Sequence, residues 1–233
     1  MLNFILVEAS LEVVPREIQN HPQIKAYAKR FKKKPEKILL DKSYHYQAMG
    51  KLPFKEKRGR PDIVHFTLLE VLGSPLNFER LIKTYIHTLT NYAIYINPET
   101  RLPRNYNRFI GLIEQLFQVG KVPLEGEPLL TMEKLSLENL LKKINPSKTF
   151  LLTEKGKPST PIMLAEKLEK EVNPVIMIGG FPHGEFKDET LKLTDEKVCI
   201  DPKPLDTWIV ASRVIAAYEA KIGLPEKRLK IQP

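Results

Sequence analysis

The 233-residue chain has one cysteine, Cys199, so it can form no internal disulfide and offers no thiolate cluster to a metal. A reducing, cytoplasmic setting fits that scarcity. No run of about 18 apolar residues occurs, so no membrane-spanning segment is predicted. The opening MLNFILVEAS lacks a basic n-region and carries Glu8, which reads as a first core strand and not as a signal peptide. Neither HExxH nor paired CxxC is present, so no metal is expected. No G-x-G-x-x-G follows a strand and no Walker P-loop appears, which leaves Rossmann and P-loop sites unsupported. No Ser/His/Asp arrangement stands out. Acidic residues are scarce in one place only. Between Lys25 and Arg60 there are 13 Lys/Arg against 3 Asp/Glu, leaving 24 against 25 elsewhere, so the net charge of +9 sits in one segment. Such a segment on a neutral body favours a polyanion, most plausibly nucleic acid, over a solvated loop without a partner.

What is present is enough for a real core. Met1–Ala9 reads as a buried strand and Pro15–Phe31 as a helix, followed by a basic loop to Arg60. Pro61 suits the first turn of a helix that Gly73-Ser74-Pro75 ends. LIKTYIHT and YAIYIN read as a hairpin turning near Thr90-Asn91. Pro103 opens a helix that Gly120 closes, with Phe109, Leu112, Ile113, Leu116 and Phe117 at helical spacing. Lys121–Asn145 is an excursion ending in a short helix over Leu135–Lys143. TFLLT, PVIMI and KVCI then alternate as strands with the helices PIMLAEKLEK and TWIVASRVIAAYEAK, the rhythm of a parallel α/β sheet. No linker divides the chain, so residues 1–233 are expected to form a single domain with a basic insertion around 29–60.

Ligands of α/β sheets gather where strands end. The stretch Val175–Phe186, VIMIGGFPHGEF, reads as a buried strand opening into a loop of bare backbone, against which a flat ligand can lie. By itself the glycine pair reads as an ordinary tight turn. Arg101, Arg104 and Arg108 recur on successive turns, and Arg104 and Arg108 would lie about 40° apart on a helix at the edge of its apolar face. They can fork onto successive phosphates, with Tyr106 beside them to stack on a base, or form a solvated edge paired with Glu99 or Glu114. Asp62 has a plain reading as a carboxylate at a helix N-terminus and a functional one as a proton or base-reading acceptor. His183 reads as a hydrogen-bonding loop residue, and His65 and His87 as structural.

RGRPDIVHFTLLE, YINPETRLPRNYNRFIGLIEQL, IGGFPHGEF and LDTWIVASRVIAAYE together resemble a known family over nearly the whole chain. The chain is similar to the ribosome-biogenesis methyltransferases that modify N1 of pseudouridine in small-subunit ribosomal RNA, members of the SPOUT superfamily. The resemblance implies a SPOUT-type, mostly parallel α/β sheet with a C-terminal trefoil knot, S-adenosyl-L-methionine as cofactor, and a homodimer acting on small-subunit rRNA. Carried onto this chain, the cofactor set is Leu152, Thr153, Gly156, Ile178, Gly179, Gly180, Gly184, Ile200, Leu205 and Ala211. The RNA set is Arg60, Asp62, Arg101, Arg104 and Arg108. Asp62 is the candidate base or orienting acceptor, and Arg60 the candidate stabiliser of charge on the neighbouring carbonyl oxygens. The basic stretch Lys29–Lys57 matches no motif of the family. Two alternatives stand beside this reading: a SPOUT enzyme of tRNA, and an RNA-binding assembly factor whose binding outweighs its catalysis.

Overall fold

The computed structural model describes residues 1–231. The first strand, β1 (Leu2–Ala9), is buried along its whole length. Helices α1 (Pro22–Phe31) and α2 (Lys42–His45) follow, then α3 (Pro61–Leu72) and α4 (Pro75–Phe78). The hairpin β2 (Ile82–Thr88) and β3 (Tyr92–Ile96) leads to α5 (Tyr106–Val119). Strands β4 (Lys121–Val122) and β5 (Leu130–Lys134) precede α6 (Leu137–Ile144). The C-terminal part alternates: β6 (Lys148–Pro158), α7 (Pro161–Glu169), β7 (Pro174–Gly179), α8 (Asp188–Lys192), β8 (Glu196–Cys199), α9 (Thr207–Lys221) and α10 (Leu224–Leu229).

The strands form one eight-stranded sheet in the order β4-β5-β3-β2-β1-β7-β6-β8. From β2 to β8 every pairing is parallel, while β3, β5 and β4 add antiparallel to one side. Strand β1 alternates its side chains between two cores. Leu2, Phe4 and Leu6 face α3, α5, α7 and α9, whereas Ile5 and Val7 face α6. A strand buried on both faces reads as an unbroken apolar run, which is why Leu2–Val7 lacks alternation apart from Asn3. Asn3 is tolerated because its amide donates to the Pro174 carbonyl and to Asn173 Oδ1.

Four expectations change. The helix read over Pro15–Phe31 begins only at Pro22, where His21 caps it through the Gln23 amide, after a separate 3₁₀ turn at Arg16–Ile18. The stretch after Phe31 is not a loop. It holds α2 and short 3₁₀ turns, and Ile38, Leu40, Ala48, Met49 and Leu52 join Val14, Ile18, Ile24 and Ala28 in a third core. Those apolar residues are spread singly among lysines, so no period announces them. The excursion Lys121–Asn145 begins as a strand pair on the sheet edge, and its helix starts at Leu137 because Ser136 caps it through the Asn139 amide. Finally, α5 starts at Tyr106 and not at Pro103. Asn105 is the N-cap, its side chain accepting from the Arg108 amide, while the Pro103 carbonyl is already held by His65 Nε2 at 2.7 Å. Arg101 and Arg104 therefore precede the helix, and their predicted helical spacing does not apply.

Two buried histidines give the fold a pH signature. Burial drives both His45 and His87 down to about 4 from 6.5. His45 Nδ1 accepts the Asp41 amide at 3.0 Å, an acceptor that a proton would remove. The unfolded chain takes up these protons below about pH 6.5 and the folded chain only near 4. Stability is thus full above pH 6.5 and declines as pH falls toward 4, by about 2–3 kcal/mol per histidine. Urea unfolding at neutral pH and at about pH 5 should show that loss, and His87→Gln should remove part of the slope. An unchanged slope in that variant would acquit His87.

Candidate functional site

The parallel strands β7, β6 and β8 lie side by side, and the middle of β6 together with the loops after β7 and β8 encloses a cavity of about 420 Å³. Leu152 and Thr153 come from β6, Ile178 and Gly179 from β7, and Val198 from β8, with Ile200 and Leu205 in the loop that follows; Thr207 and Val210 of α9 close the base. Apolar walls with backbone amides and carbonyls between them suit a flat, partly polar ligand. Thr207 Oγ1 donates to the Gly179 carbonyl at 2.9 Å, which fixes the mouth of the glycine loop to the start of α9. Lys155 and Glu185 pair across the entrance at 2.7 Å, both largely exposed.

Seven of the ten residues expected at a cofactor line this cavity: Leu152, Thr153, Ile178, Gly179, Gly184, Ile200 and Leu205. Gly156, Gly180 and Ala211 do not, and each has a packing reason. A Cβ on Gly156 would sit 2.5 Å from the backbone of Val198, and one on Gly180 would sit 2.9 Å from Ala9. Ala211 is fully buried in the helix-side core. The bare backbone at Gly156 and Gly180 thus serves close chain packing. His183 lines the cavity as well, together with Phe181, Phe186 and Asp201, which sequence reasoning passed over.

The loop Gly180–Lys187 is held from behind by Glu8, a residue 3% exposed at positive φ (51°). One oxygen of Glu8 accepts the Lys187 amide and the Thr190 hydroxyl, both at 2.8 Å, and the other takes Lys57 Nζ at 2.6 Å. Lys57 also donates to the Glu185 carbonyl and lies 4.4 Å from the centroid of the Phe181 ring. Next to it, Arg58 forks onto Glu12 through two hydrogen bonds of 2.6 Å. Lys57 and Arg58 are therefore structural residues within the basic run. Nothing in the sequence marks them apart from the lysines around them.

Arg60 and Asp62 form a bidentate pair at the start of α3, Nε to Oδ1 and Nη2 to Oδ2, both 2.8 Å. The hydrogen bonds to Asp62 raise the Arg60 pKa above its ordinary value, against the cost of burial. The Arg60 amide donates to Ser10 Oγ at 2.7 Å, and the Ser10 amide donates to the Gly180 carbonyl at 2.8 Å. One serine thus links the pair to the cavity loop. Tyr106 is not free to stack. Its hydroxyl donates to Asp41 Oδ2 at 2.7 Å, and burial followed by that bond pushes its pKa up. Arg101, Arg104 and Arg108 are exposed and have no side-chain partner among the described residues. Glu99 and Glu114, the expected partners, pair with Arg80 and Lys33 instead. His65, stacked on Phe109 at 4.3 Å, positions the Pro103 turn between these arginines.

The EMG1/NEP1 methyltransferase family profile matches residues 4–219. The chain belongs to that family. The "Ribosomal RNA small subunit methyltransferase Nep1" of Thermococcus kodakarensis is 48% identical over 96% of this chain and 100% of that protein. Its namesake in Saccharolobus solfataricus is 44% identical over 96% and 99%. The crystal structure of Archaeoglobus fulgidus Nep1 bound to S-adenosylhomocysteine superposes with a TM-score of 0.85 at 40% identity, covering 95% of this chain and 98% of that one. That agreement extends to the expected SPOUT-type fold class.

In this family member Lys57 is the residue to remove first. Lys57→Met leaves Glu8 as a buried carboxylate without its cation, and the expected cost is about 3–5 kcal/mol in urea unfolding. Lys55→Met, two residues away and exposed, should cost under about 0.5 kcal/mol. Equal effects would mean that the pair bears no special weight.

Proposed function

We propose that this protein methylates N1 of a pseudouridine in small-subunit ribosomal RNA, with S-adenosyl-L-methionine as donor. The observation that supports the reading is the Ser10 link, which joins the Arg60 backbone to the glycine loop that contributes one wall of the cavity. The family and its relatives, named as small-subunit rRNA methyltransferases, support the coarser part of the reading. For the finer part the argument is chemical. Pseudouridine is joined to ribose through carbon, so its N1 keeps a proton that uridine lacks, and that proton must leave as the new bond forms.

The cavity fits the donor. Leu152, Ile178, Leu205 and Val210 supply apolar walls for an adenine, while the Gly179–Gly184 loop and Thr153 supply polar contacts. When bound, the donor supplies an electrophilic methyl group. The chain's own residues do the remaining work. Arg104, just before α5, and Arg108, in its first turn, are exposed and without side-chain partners among the described residues; they bind RNA phosphates, and Arg101 extends the set. Arg60 holds both oxygens of Asp62, which orients the carboxylate as an acceptor for the N1 proton. The Arg60 guanidinium also faces negative charge developing on the carbonyl oxygens of the base. A single domain, a C-terminal trefoil knot, a homodimer and a cytoplasmic setting belong to the same reading.

The deciding experiment offers labelled S-adenosylmethionine and two matched RNA hairpins, one with uridine and one with pseudouridine in the loop. Label should enter the pseudouridine hairpin alone. Label in neither, with tight binding to both, would favour an assembly factor. Asp62→Asn should lower the single-turnover rate about 10²-fold or more while RNA affinity changes less. A full rate in that variant would remove Asp62 from the chemistry.

A further inference from the structure

The basic segment pairs only part of its charge. Of its thirteen Lys/Arg, Lys33, Lys57, Arg58 and Arg60 face carboxylates, which leaves nine without one among the described residues. The same segment exposes aromatic rings, which a solvated layer does not need. Phe31 and Tyr44 are each 44% exposed and Tyr46 is 65% exposed. These rings are not scattered. Tyr27 lies 4.4 Å from Phe31 and 5.3 Å from Tyr44, centroid to centroid, so the three form one strip across α1 and α2. Cations flank it: the Arg30 guanidinium lies 5.3 Å from the Phe31 ring, and Lys42 Nζ lies 5.6 Å from that of Tyr46.

The strip is anchored to the candidate RNA site. The Lys42 amide, at the start of α2, donates to the Gly59 carbonyl at 2.7 Å, one residue before Arg60. Asp41 caps α2 through the Ser43 amide at 2.8 Å and holds the Tyr106 hydroxyl with its other oxygen. The start of α2, with Tyr44 in it and Tyr46 just after it, is therefore tied to the residue that precedes Arg60. From this we infer that the Tyr27–Phe31–Tyr44 strip, with the exposed Tyr46 just after α2, is a binding surface for unpaired nucleotides flanking the modified one, which stack on the rings while Lys25, Lys29, Arg30 and Lys42 meet their phosphates. The chemistry is that of single-strand platforms, where base–aromatic stacking and backbone charge act together with little sequence preference. An acidic protein segment would satisfy the lysines but would leave the exposed rings without a role.

The use assigned to the strip rests on the RNA-modifying reading, but its test does not. A free single-stranded RNA of about eight nucleotides is titrated into the full-length protein by fluorescence anisotropy over a range of salt. Wild type should bind it, and Tyr44→Ala/Tyr46→Ala should bind about tenfold more weakly or worse. Tyr44→Phe/Tyr46→Phe should retain affinity, since the rings remain. Lys25→Gln/Lys29→Gln should flatten the dependence of log K on log salt by about 0.7 per lost contact. Thermal melts of each variant separate loss of binding from loss of fold. In a second arm, a single-stranded tail on the pseudouridine hairpin should tighten binding, and the alanine variant should reduce the tailed affinity to that of the bare hairpin. Failure of wild type to methylate either hairpin would overturn the proposed function and leave the single-strand arm to stand by itself. Three results overturn the strip: equal single-strand affinity in wild type and alanine variant, preference for a polyglutamate peptide over RNA, or a change of oligomeric state in the alanine variant that marks the rings as a protein contact.

Discussion

Glu8 and Lys57 meet where three parts of the molecule converge: the end of the central strand, the basic segment, and the loop that closes the cavity. Both side chains are almost wholly buried, so neither charge is tolerable without the other. Glu8 departs from strand geometry to make the contact, taking a left-handed backbone conformation immediately before Ala9, against which Gly180 packs. Such a conformation costs free energy in a residue with a Cβ, and three hydrogen bonds to one carboxylate offset it. The glycine loop is thereby held from behind, leaving its front for a ligand. Ser10 then carries the same register to Arg60. The two halves of the candidate site are positioned by five residues of one chain turn, Glu8 to Glu12.

Charge in the basic segment divides by burial. The buried members, Lys57 and Arg58, are matched by Glu8 near the end of β1 and Glu12 just after it, and fasten the helical layer to the sheet. The exposed members are left for a partner. Composition reported the sum of the two populations and so overstated the free charge. A surface ion pair such as Lys155–Glu185 adds little stability, whereas the buried pairs fix which surfaces face each other.

Much of the sheet was legible because its strands are apolar runs punctuated by proline and glycine, as in Pro174–Gly179 and the Thr160-Pro161 helix start. The C-terminal cavity was legible for the same reason: three strands ending in polar loops leave few other places for a ligand. The packing glycines were not. Gly156 and Gly180 look like ligand-facing glycines, and only the path of another backbone past them reveals why a side chain is forbidden. The start of α5 was misplaced because Pro103 resembles a first-turn proline until His65, 38 residues earlier, is seen to hold its carbonyl. The third core escaped notice because its apolar residues lie singly among lysines. Glu8 carried no signal at all beyond being an acid at the end of an apolar run.

One detail of strand pairing sets a rule for how this protein can change. Strand β6 pairs Leu152 with Val198, slips out of register over Thr153–Gly156, and pairs Lys157 with the same Val198. The detour has fixed ends, a single docking residue and, at Gly156, no clearance. Glu154 and Lys155 can be exchanged more readily than Gly156 or the cavity-lining Thr153, but the length of the detour cannot change. One residue more or fewer would bring the chain back with inward and outward positions reversed, and Lys157 would be turned toward the other face. The wall of the cavity is thus a part that evolution can repaint and cannot resize.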